Sequence, residues 1–191
     1  MSPERGKVII FSAPSGSGKT TIVREILARM DKLEFSVSAT TRPMRENEIN
    51  GRDYFFLSVE DFKEKINANE FLEWEEVYPG RFYGTLKSEV DRIRNEGNSA
   101  VFDVDVVGGI NIKQHYNHEA LSFFIQAPSI EVLRERLVKR GTDSMEDTEI
   151  RVQKAESEMQ YRNQFDETIV NDDLERAIDE VAQKIESFTS R

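Results

Sequence analysis

A short stretch near the N-terminus combines residue types that can bind phosphate. Residues Ala13–Thr20 read APSGSGKT; they follow the apolar residues Val8–Phe11 and precede a helix-like segment. Glycines let the backbone curl so that successive N–H groups point at phosphate oxygens, and the positive N-terminal end of the next helix adds to the attraction. Lys19 is predicted to reach the β and γ phosphates of a nucleotide, and Thr20 to offer its hydroxyl to Mg²⁺.

The stretch fits the phosphate-binding pattern G-x-x-x-x-G-K-[ST] at every fixed position except the first, where Ala13 stands in place of glycine. A methyl group is tolerable there if the residue keeps a negative φ. A glycine-rich turn with an incidental lysine is the alternative, but the apolar strand before it and the amphipathic helix after it favour phosphate binding. The turn alone does not distinguish an ATPase, a GTPase, a kinase or a transporter. The residues predicted to line it are Ala13, Pro14, Ser15, Gly16, Ser17, Gly18, Lys19 and Thr20.

Two acidic residues close another apolar segment. The sequence AVFDVD places Asp103 and Asp105 at the end of a predicted buried strand. Strand alternation predicts that both side chains lie on one side, where they could hold the water ligands of Mg²⁺ and a polar group of a substrate. A strand end with solvated acids is the alternative. Because aspartate is rare inside apolar runs, the functional interpretation is favoured.

Hydrophobic periodicity predicts the elements that position these residues. Apolar segments typical of strands lie at 8–11, 100–104, 121–126 and 167–170. Helix-like segments separate them at 22–30, 110–116, 130–139 and 174–188. Strands that alternate with helices predict an α/β fold, in which helices cover both faces of a parallel sheet.

Two segments interrupt this alternation. Residues 35–97 are rich in arginine, acidic and aromatic residues and contain the single tryptophan, Trp74. They are predicted to form an inserted subdomain, with strands near 54–57 and 71–77 and helices near 59–67 and 86–95. After Gly141, Ser144 and Asp147 are spaced like a capping box that opens a helix. The predicted organisation is a core of residues 1–34, 98–139 and 157–191, a subdomain of residues 35–97, and a lid of residues 140–156.

Composition limits the possible function classes. The 191 residues suit one domain with small insertions. The chain has no cysteine, which excludes disulfides and thiolate metal sites and is compatible with a reducing cytosol. No apolar run approaches the roughly twenty residues needed to cross a bilayer. A formal charge of −10 argues against general nucleic-acid binding. We therefore expect a cytoplasmic protein without nucleic-acid or membrane partners.

Residues 35–56, FSVSATTRPMRENEINGRDYFF, resemble the guanylate kinase family, which transfers the terminal phosphoryl group of ATP to GMP. The resemblance continues in order through EFLEWEEVYPGRFYGT (70–85), AVFDVDVVGG (100–109), ERLVKRGTD (135–143) and TIVNDDL (168–174), and so covers nearly the whole chain. It implies a P-loop NTPase-type core with an inserted GMP-binding subdomain and a mobile lid. It also implies ATP with Mg²⁺ as one substrate, and GMP and dGMP as acceptors.

The resemblance implies that the inserted segment binds GMP. Ser38, Arg42, Arg45 and Tyr54 match the family pattern S-x-T-T-R-x-x-R…D-Y, and guanidinium forks suit a phosphate dianion. Glu73 matches the family residue that accepts hydrogen bonds from guanine, a base distinguished by its N2 amino group and O6 acceptor. The implied GMP-binding residues are Ser38, Arg42, Arg45, Tyr54, Glu73, Tyr83, Thr85 and Asp105.

The same resemblance implies roles outside that segment. Arg140 and Arg151 resemble arginines that swing onto the ATP phosphates, Arg136 resembles one that packs against adenine, and Asn171 resembles an adenine-contacting asparagine. The implied catalytic residues are Lys19, Arg42, Asp103, Arg140 and Arg151. Thr20 and, through water, Asp103 are the implied metal site.

The chain departs from the family at three positions. Ala13 and Asn47 stand where the family often has glycine, and Val107 stands where it often has glutamine. Asparagine tolerates left-handed backbone better than most residues, so Asn47 is a mild change. None of the departures removes a charged group from the predicted site.

Two alternatives remain. A non-catalytic guanylate-kinase-like interaction module would typically have a degraded phosphate-binding turn or lid, whereas this chain keeps Lys19, Thr20, Arg140 and Arg151. The other alternative is a P-loop kinase for a different small phosphorylated acceptor, but Glu73 together with Ser38 favours guanine.

Overall fold

The computed structural model describes residues 5–140 and 144–190, in which helices and strands alternate. The strands are β1 (Val8–Ser12), β2 (Leu33–Phe35), β3 (Ala39–Thr40), β4 (Phe55–Phe56), β5 (Phe71–Tyr78), β6 (Arg81–Leu86), β7 (Ser99–Asp103), β8 (Ala120–Gln126) and β9 (Glu167–Val170). The α-helices are α1 (Lys19–Arg29), α2 (Val59–Asn67), α3 (Lys87–Asn95), α4 (Val106–Tyr116), α5 (Ile130–Arg140), α6 (Met145–Glu158) and α7 (Leu174–Thr189). Short 3₁₀-helices follow α4 and α6, at Asn117–Glu119 and Met159–Gln164. Among the described residues, no helix combines the length and the apolar character needed to cross a bilayer.

The chain divides into two compact units. The smaller unit contains Glu34–Ala100 and the described residues up to Lys7. The larger unit contains Val8–Leu33 and the described residues from Val101 onward. The chain therefore passes from one unit to the other between Lys7 and Val8, within β2 and within β7.

A five-stranded sheet with the order β2-β7-β1-β8-β9 forms the centre of the larger unit. β1 pairs in parallel with β8, with Ile10 opposite Ser122, and β8 pairs in parallel with β9, with Ile125 opposite Ile169. Parallel neighbours need crossover connections, and the helices between these strands supply them. The predicted α/β class is confirmed.

Helices cover both faces of this sheet, whose central strands are mostly apolar and buried. All five residues of β1 are buried. Ile9 and Phe11 belong to a core cluster that also contains residues of α1 and α7, and the rings of Phe11 and Phe123 stack 5.1 Å apart. On the other face, α4 approaches so closely that a Cβ on Gly109 would lie 3.4 Å from Ile10 and 2.2 Å from Ser12 Oγ.

Local capping decides where two of the helices begin. α4 starts at Val106, earlier than the predicted residue 110, because the side chain of Asp105 accepts a 2.6 Å hydrogen bond from the backbone N–H of Gly108. The predicted capping box at the start of α6 is confirmed, since Ser144 Oγ accepts a 3.1 Å bond from Asp147 N–H.

The smaller unit contains a four-stranded sheet with the order β4-β3-β6-β5. β3 is parallel to β4 and antiparallel to β6, which forms an antiparallel hairpin with β5. The rings of Phe62 and Phe71 stack 4.2 Å apart, which anchors α2 on the sheet, and Phe82 adds to this core. The predicted α2 and β5 are confirmed, whereas β3 and β6 were not predicted. Trp74 on the edge strand β5 is 46% exposed and contacts Phe82.

Candidate active site

The phosphate-binding turn lies between β1 and α1, as the pattern predicts. Gly16 and Gly18 have φ values of 89° and 90°, which glycine adopts without the steric cost of a Cβ. Ser17 N–H donates to Pro14 O at 3.2 Å, closing the turn, and Gly18 is the N-cap of α1. Ala13 is not among the described residues with positive φ, so its methyl group is accommodated as expected.

A cleft of about 700 Å³ opens over this turn, a volume that suits a small-molecule ligand. All eight residues of the turn line it. The cleft is lined in addition by Thr21, Asp103, Val104, Asp105, Arg136, Lys139, Arg151, Lys154 and Glu158. It therefore collects most of the residues predicted from the sequence to bind ATP.

Lys19, Thr20 and Asp103 converge at the floor of the cleft. Lys19 Nζ lies 2.6 Å from Asp103 Oδ1 and donates a 2.7 Å hydrogen bond to Val104 O. Thr20 Oγ1 lies 3.4 Å from Asp103 Oδ2. The side chains of Lys19 and Asp103 are less than one-fifth exposed, so their interaction is only weakly screened by solvent. The structure thus places the predicted phosphate-binding lysine beside the predicted metal-site residues.

Asp105 is positioned differently from the sequence-based expectation. β7 ends at Asp103, so the alternation argument does not extend to Asp105. Its carboxylate instead caps α4, and its backbone oxygen accepts a 2.9 Å hydrogen bond from Ser12 Oγ. Asp105 still lines the cleft, but its Oδ1 is engaged by the helix.

Helices α5 and α6 bring further cations to the cleft. Arg151 Nη1 donates to Ser15 Oγ at 3.2 Å, which places this predicted lid arginine at the turn. Arg136 Nη2 donates to the backbone oxygen of Asn171 at 2.8 Å. Arg140 ends α5, and its side chain lies outside the described part of the chain. Arg134, to which no function is assigned, pairs with Glu149 and links α5 to α6.

Sequence reasoning missed part of the cleft lining. Lys154 and Glu158 lie on α6 on the same face as Arg151, a spacing of three and four residues that could have identified them. Burial raises the pKa of Glu158, and the nearby Asp105 acts in the same direction, whereas Lys154, at 3.7 Å, opposes the shift. Glu158 is therefore a third acidic side chain, after Asp103 and Asp105, in a cleft that cations also line.

In the smaller unit, Arg42 forms a bidentate ion pair with Glu48. Arg42 Nη1 and Nη2 each donate to a different carboxylate oxygen at 2.7 Å, and Arg45 N–H donates to the same carboxylate at 2.8 Å. Arg42 and this backbone N–H lower the pKa of Glu48 to about 2, and Glu48 in turn raises the pKa of Arg42. Glu48 was not predicted, although an acid enclosed by an arginine cluster is a sequence signal.

Aromatic rings surround this guanidinium. The central carbon of the Arg42 guanidinium lies 5.1 Å from the centroid of Tyr54 and 5.5 Å from that of Phe56, within the range of cation–π attraction. Tyr54 and Tyr83 make an edge-to-face contact with centroids 6.0 Å apart. The structure therefore brings together three of the residues predicted to bind the GMP phosphate.

Two further residues that the resemblance assigns to GMP binding, Glu73 and Thr85, contact each other. Thr85 is 1% exposed, lies opposite Glu73 across the β5–β6 hairpin, and donates a 2.7 Å hydrogen bond from Oγ1 to Glu73 Oε1. Ser38 is half-buried, and its backbone oxygen accepts a hydrogen bond from Phe55 N–H. Arg45 is exposed.

Comparisons with known proteins identify the family of this chain. The family model described as guanylate kinase matches residues 5–188. A guanylate kinase of Bacteroides fragilis is 56% identical over 182 residues, covering 95% of this chain and 89% of that protein. A guanylate kinase of Porphyromonas gingivalis is 52% identical over 186 residues, covering 97% and 99%. The crystal structure of guanylate kinase from Anaplasma phagocytophilum aligns with a TM-score of 0.74 and 26% identity, covering 98% of this chain and 88% of that one. The chain belongs to the guanylate kinase family.

Proposed function

We propose that this guanylate kinase transfers the terminal phosphoryl group of ATP to GMP or dGMP, producing ADP and GDP or dGDP. ATP binds over residues 13–20, and the acceptor binds within residues 35–97. The observation that carries the proposal is the family match over residues 5–188, which includes both sets of residues. A cytoplasmic location is part of the proposal.

The phosphate-binding turn supplies charge stabilisation. Transfer between phosphate oxygens needs no protein nucleophile, so the protein contributes mainly positioning and electrostatics. Lys19 and Arg151 are the described cations placed to neutralise the charge that spreads over the moving phosphoryl group. Arg136 is proposed to pack against the adenine base of ATP.

Magnesium fits the oxygen donors at the floor of the cleft. The Thr20 hydroxyl and the Asp103 carboxylate lie 3.4 Å apart, and both are hard oxygen ligands. Among the described residues, no cluster of three or more histidine or acidic side chains could hold a metal by itself. This agrees with the usual habit of Mg²⁺, which takes one or two protein ligands and completes its shell with substrate phosphates and water. When bound, the ion would neutralise phosphate charge.

The residues of the smaller unit provide a site for the acceptor. Arg42, supported by Glu48, Tyr54 and Tyr83, binds the acceptor phosphate, with Arg45 as the second guanidinium. Neutralising the acceptor phosphate allows a second anionic phosphate to approach it.

Guanine recognition relies on Glu73 and Thr85. The carboxylate accepts hydrogen bonds from the donors of guanine. Adenine presents a different edge, so polar groups of the site are left unpaired when adenine is bound. Ser38 adds a hydroxyl near the base or the phosphate of GMP. Asp105 is a further residue that we assign to GMP binding.

In this proposal residues 140–156, of which 141–143 lie outside the described part of the chain, act as a lid that closes on the bound nucleotides. Arg140 and Arg151 then reach the ATP phosphates, and closure expels water that would otherwise hydrolyse ATP. The interaction-module alternative is disfavoured because the turn, with Lys19, and Arg151 line one cleft, and Arg151 contacts Ser15.

An acceptor panel tests the proposal. ADP release is measured in a coupled assay with ATP, Mg²⁺ and either GMP, dGMP, AMP or UMP. We expect GMP and dGMP to stimulate ADP release strongly, and AMP and UMP to leave it near the rate without acceptor. Stimulation by UMP or AMP but not GMP would reassign the acceptor, and no stimulation by any of them would support a non-catalytic module.

A further inference from the structure

We propose that Lys154 is a further phosphate-binding residue of the donor site, where it contacts the phosphate chain of ATP together with Lys19 and Arg151. The inference rests on the proposed function in taking residues 13–20 as the site of the ATP phosphates. The family resemblance assigns no role to Lys154.

The packing of α6 directs Lys154 into the cleft. Val152 and Ala155 are 1% and 0% exposed and belong to a core cluster with residues of α5, so the rotation of α6 about its axis is fixed. Arg151 and Lys154 each precede one of these buried residues and lie three residues apart, on one face of the helix. Both line the cleft over the phosphate-binding turn, and Arg151 reaches Ser15 of that turn at 3.2 Å.

The ion pair that Lys154 makes is weak enough to be exchanged for a phosphate. Its Nζ lies 3.7 Å from Glu158 Oε1, and its side chain is 70% exposed. Exposed pairs of this kind contribute little to stability, because solvent screens them and both side chains must be ordered. A phosphate group carries more negative charge than a carboxylate and offers more acceptor oxygens. It can therefore take the place of Glu158 as the partner of Lys154.

The surroundings of Glu158 indicate which part of the cleft Lys154 reaches. Burial raises the pKa of Glu158, Asp105 raises it further and Lys19 lowers it, so this carboxylate lies within electrostatic range of both residues. Since Lys154 pairs with the same carboxylate, its ammonium group shares a part of the cleft with Lys19. Lys19 is the residue assigned to the β and γ phosphates.

The charge of the cleft suits a polyphosphate ligand. In the whole chain, acidic residues outnumber lysine and arginine by 36 to 26. Among the described residues that line the cleft, three are acidic and five are cationic; the cations are Lys19, Arg136, Lys139, Arg151 and Lys154. This local excess of positive charge attracts polyanions.

A ligand that has phosphates but no base isolates the proposed contact. Binding of inorganic tripolyphosphate and of ATP, each with Mg²⁺, is measured by calorimetry on the full chain and on Lys154→Gln, and binding of adenosine by NMR titration. We expect the variant to bind both phosphate ligands about five- to tenfold more weakly, as for the loss of one charge-assisted contact, and adenosine with unchanged affinity. The KM for ATP should rise by the same factor, while kcat and the KM for GMP stay unchanged.

Two variants serve as controls for charge and position. Lys154→Arg keeps the charge and should retain the affinity for both phosphate ligands. Lys32→Gln removes a charge from an exposed position outside the cleft lining and should leave all affinities unaltered.

Three results would overturn the inference. They are an unchanged tripolyphosphate affinity in Lys154→Gln, an equal loss for adenosine, and a loss in Lys154→Arg as large as in Lys154→Gln. Should Lys154→Gln not fold, the unaltered chain decides by NMR. The side-chain resonances of Lys154 should shift with tripolyphosphate and not with adenosine, and the opposite pattern would refute the proposal.

The proposed function can fail separately. If the unaltered chain phosphorylates GMP but tripolyphosphate binding does not depend on Lys154, the inference fails while the phosphotransfer activity stands. If tripolyphosphate binding depends on Lys154 but GMP is not phosphorylated, the inference stands and the proposed function fails.

Discussion

Arg42 and Glu48 face each other through two parallel hydrogen bonds of 2.7 Å, and both side chains are less than one-fifth exposed. Planar, charge-assisted pairs of this kind hold a guanidinium in one orientation. The pKa of Glu48 is lowered to about 2, so the stability that its carboxylate contributes is present above the ordinary pKa of 4.5 and is lost as the pH falls from there through about 2. Glu48 therefore orients Arg42 over the whole range in which the enzyme would work.

Glu48→Gln should weaken GMP binding by releasing Arg42. A glutamine can accept at one position only and carries no charge, so the bidentate pair is lost. We expect the KM for GMP to rise about tenfold, since a hydrogen bond to a charged group contributes about 1.5–3 kcal/mol and part of it is recovered from water. The KM for ATP should not change. Steady-state kinetics check this, with the exposed Glu46→Gln as control; equal effects of the two variants would contradict the orienting role.

Thr85→Val should impair recognition of guanine. The substitution keeps the shape of a side chain that is 1% exposed and removes the hydroxyl that donates to Glu73 at 2.7 Å. The freed carboxylate can reorient, so the preference for GMP over AMP should fall by roughly one order of magnitude, with a loss of about 1 kcal/mol in stability. The ratio of kcat/KM values measures the preference. Thr85→Ser, which keeps the hydroxyl, should retain it, and an unchanged ratio in Thr85→Val would argue against this pair.

Lys19→Ala should abolish most of the turnover and leave the fold intact. The variant removes a cation 2.6 Å from Asp103 and within the phosphate-binding turn. Loss of one preorganised contact to developing charge typically costs about 3–4 kcal/mol of barrier, which predicts a fall in kcat of about 10²–10³-fold. Circular dichroism and the coupled assay check both parts. The exposed Lys32→Ala is the charge-matched control, and near-normal turnover in Lys19→Ala would refute the assigned role.

Glu158→Gln should alter stability in a pH-dependent way. The folded-state pKa of Glu158 is raised mainly by burial, so the folded state binds its proton more tightly than the unfolded state does. Stability associated with the protonated form is present at low pH and is lost as the pH rises through the raised pKa. We therefore compare the difference in free energy of unfolding between the variant and the unaltered chain at two pH values. The variant should be the more stabilised, relative to the unaltered chain, at pH 7.5 than at pH 4. Urea titrations at the two values measure this, and a difference of opposite sign would contradict the burial argument.

The elements that depend on local sequence were predictable. β1, the glycine turn and α1 follow from neighbouring residues, and the cap at Ser144 follows from a spacing of three. The two-residue β3 was missed because it is stabilised by pairing with β4 and β6, and no local pattern distinguishes it. Asp105 was misplaced on a strand because its capping of α4 depends on where β7 ends.

Within the candidate site, residue identity was easier to predict than residue pairing. Arg42 could be identified from its motif, and Glu48, which lies between Arg45 and Arg52, could have been suggested as its partner, but only the fold shows the bidentate pair. Asn171 could likewise be assigned to the ATP site, whereas its bond to Ser17 joins residues 154 positions apart. Such long-range contacts carry no signal in a single sequence.

The half-exposed indole of Trp74 on β5 is an intrinsic fluorescent probe in the smaller unit. Trp74 is the only tryptophan of the chain and directly follows Glu73. Its fluorescence therefore originates within residues 35–97, the segment proposed to bind the acceptor, and needs no label. Acceptor occupancy can accordingly be followed in real time while the other nucleotide is varied independently.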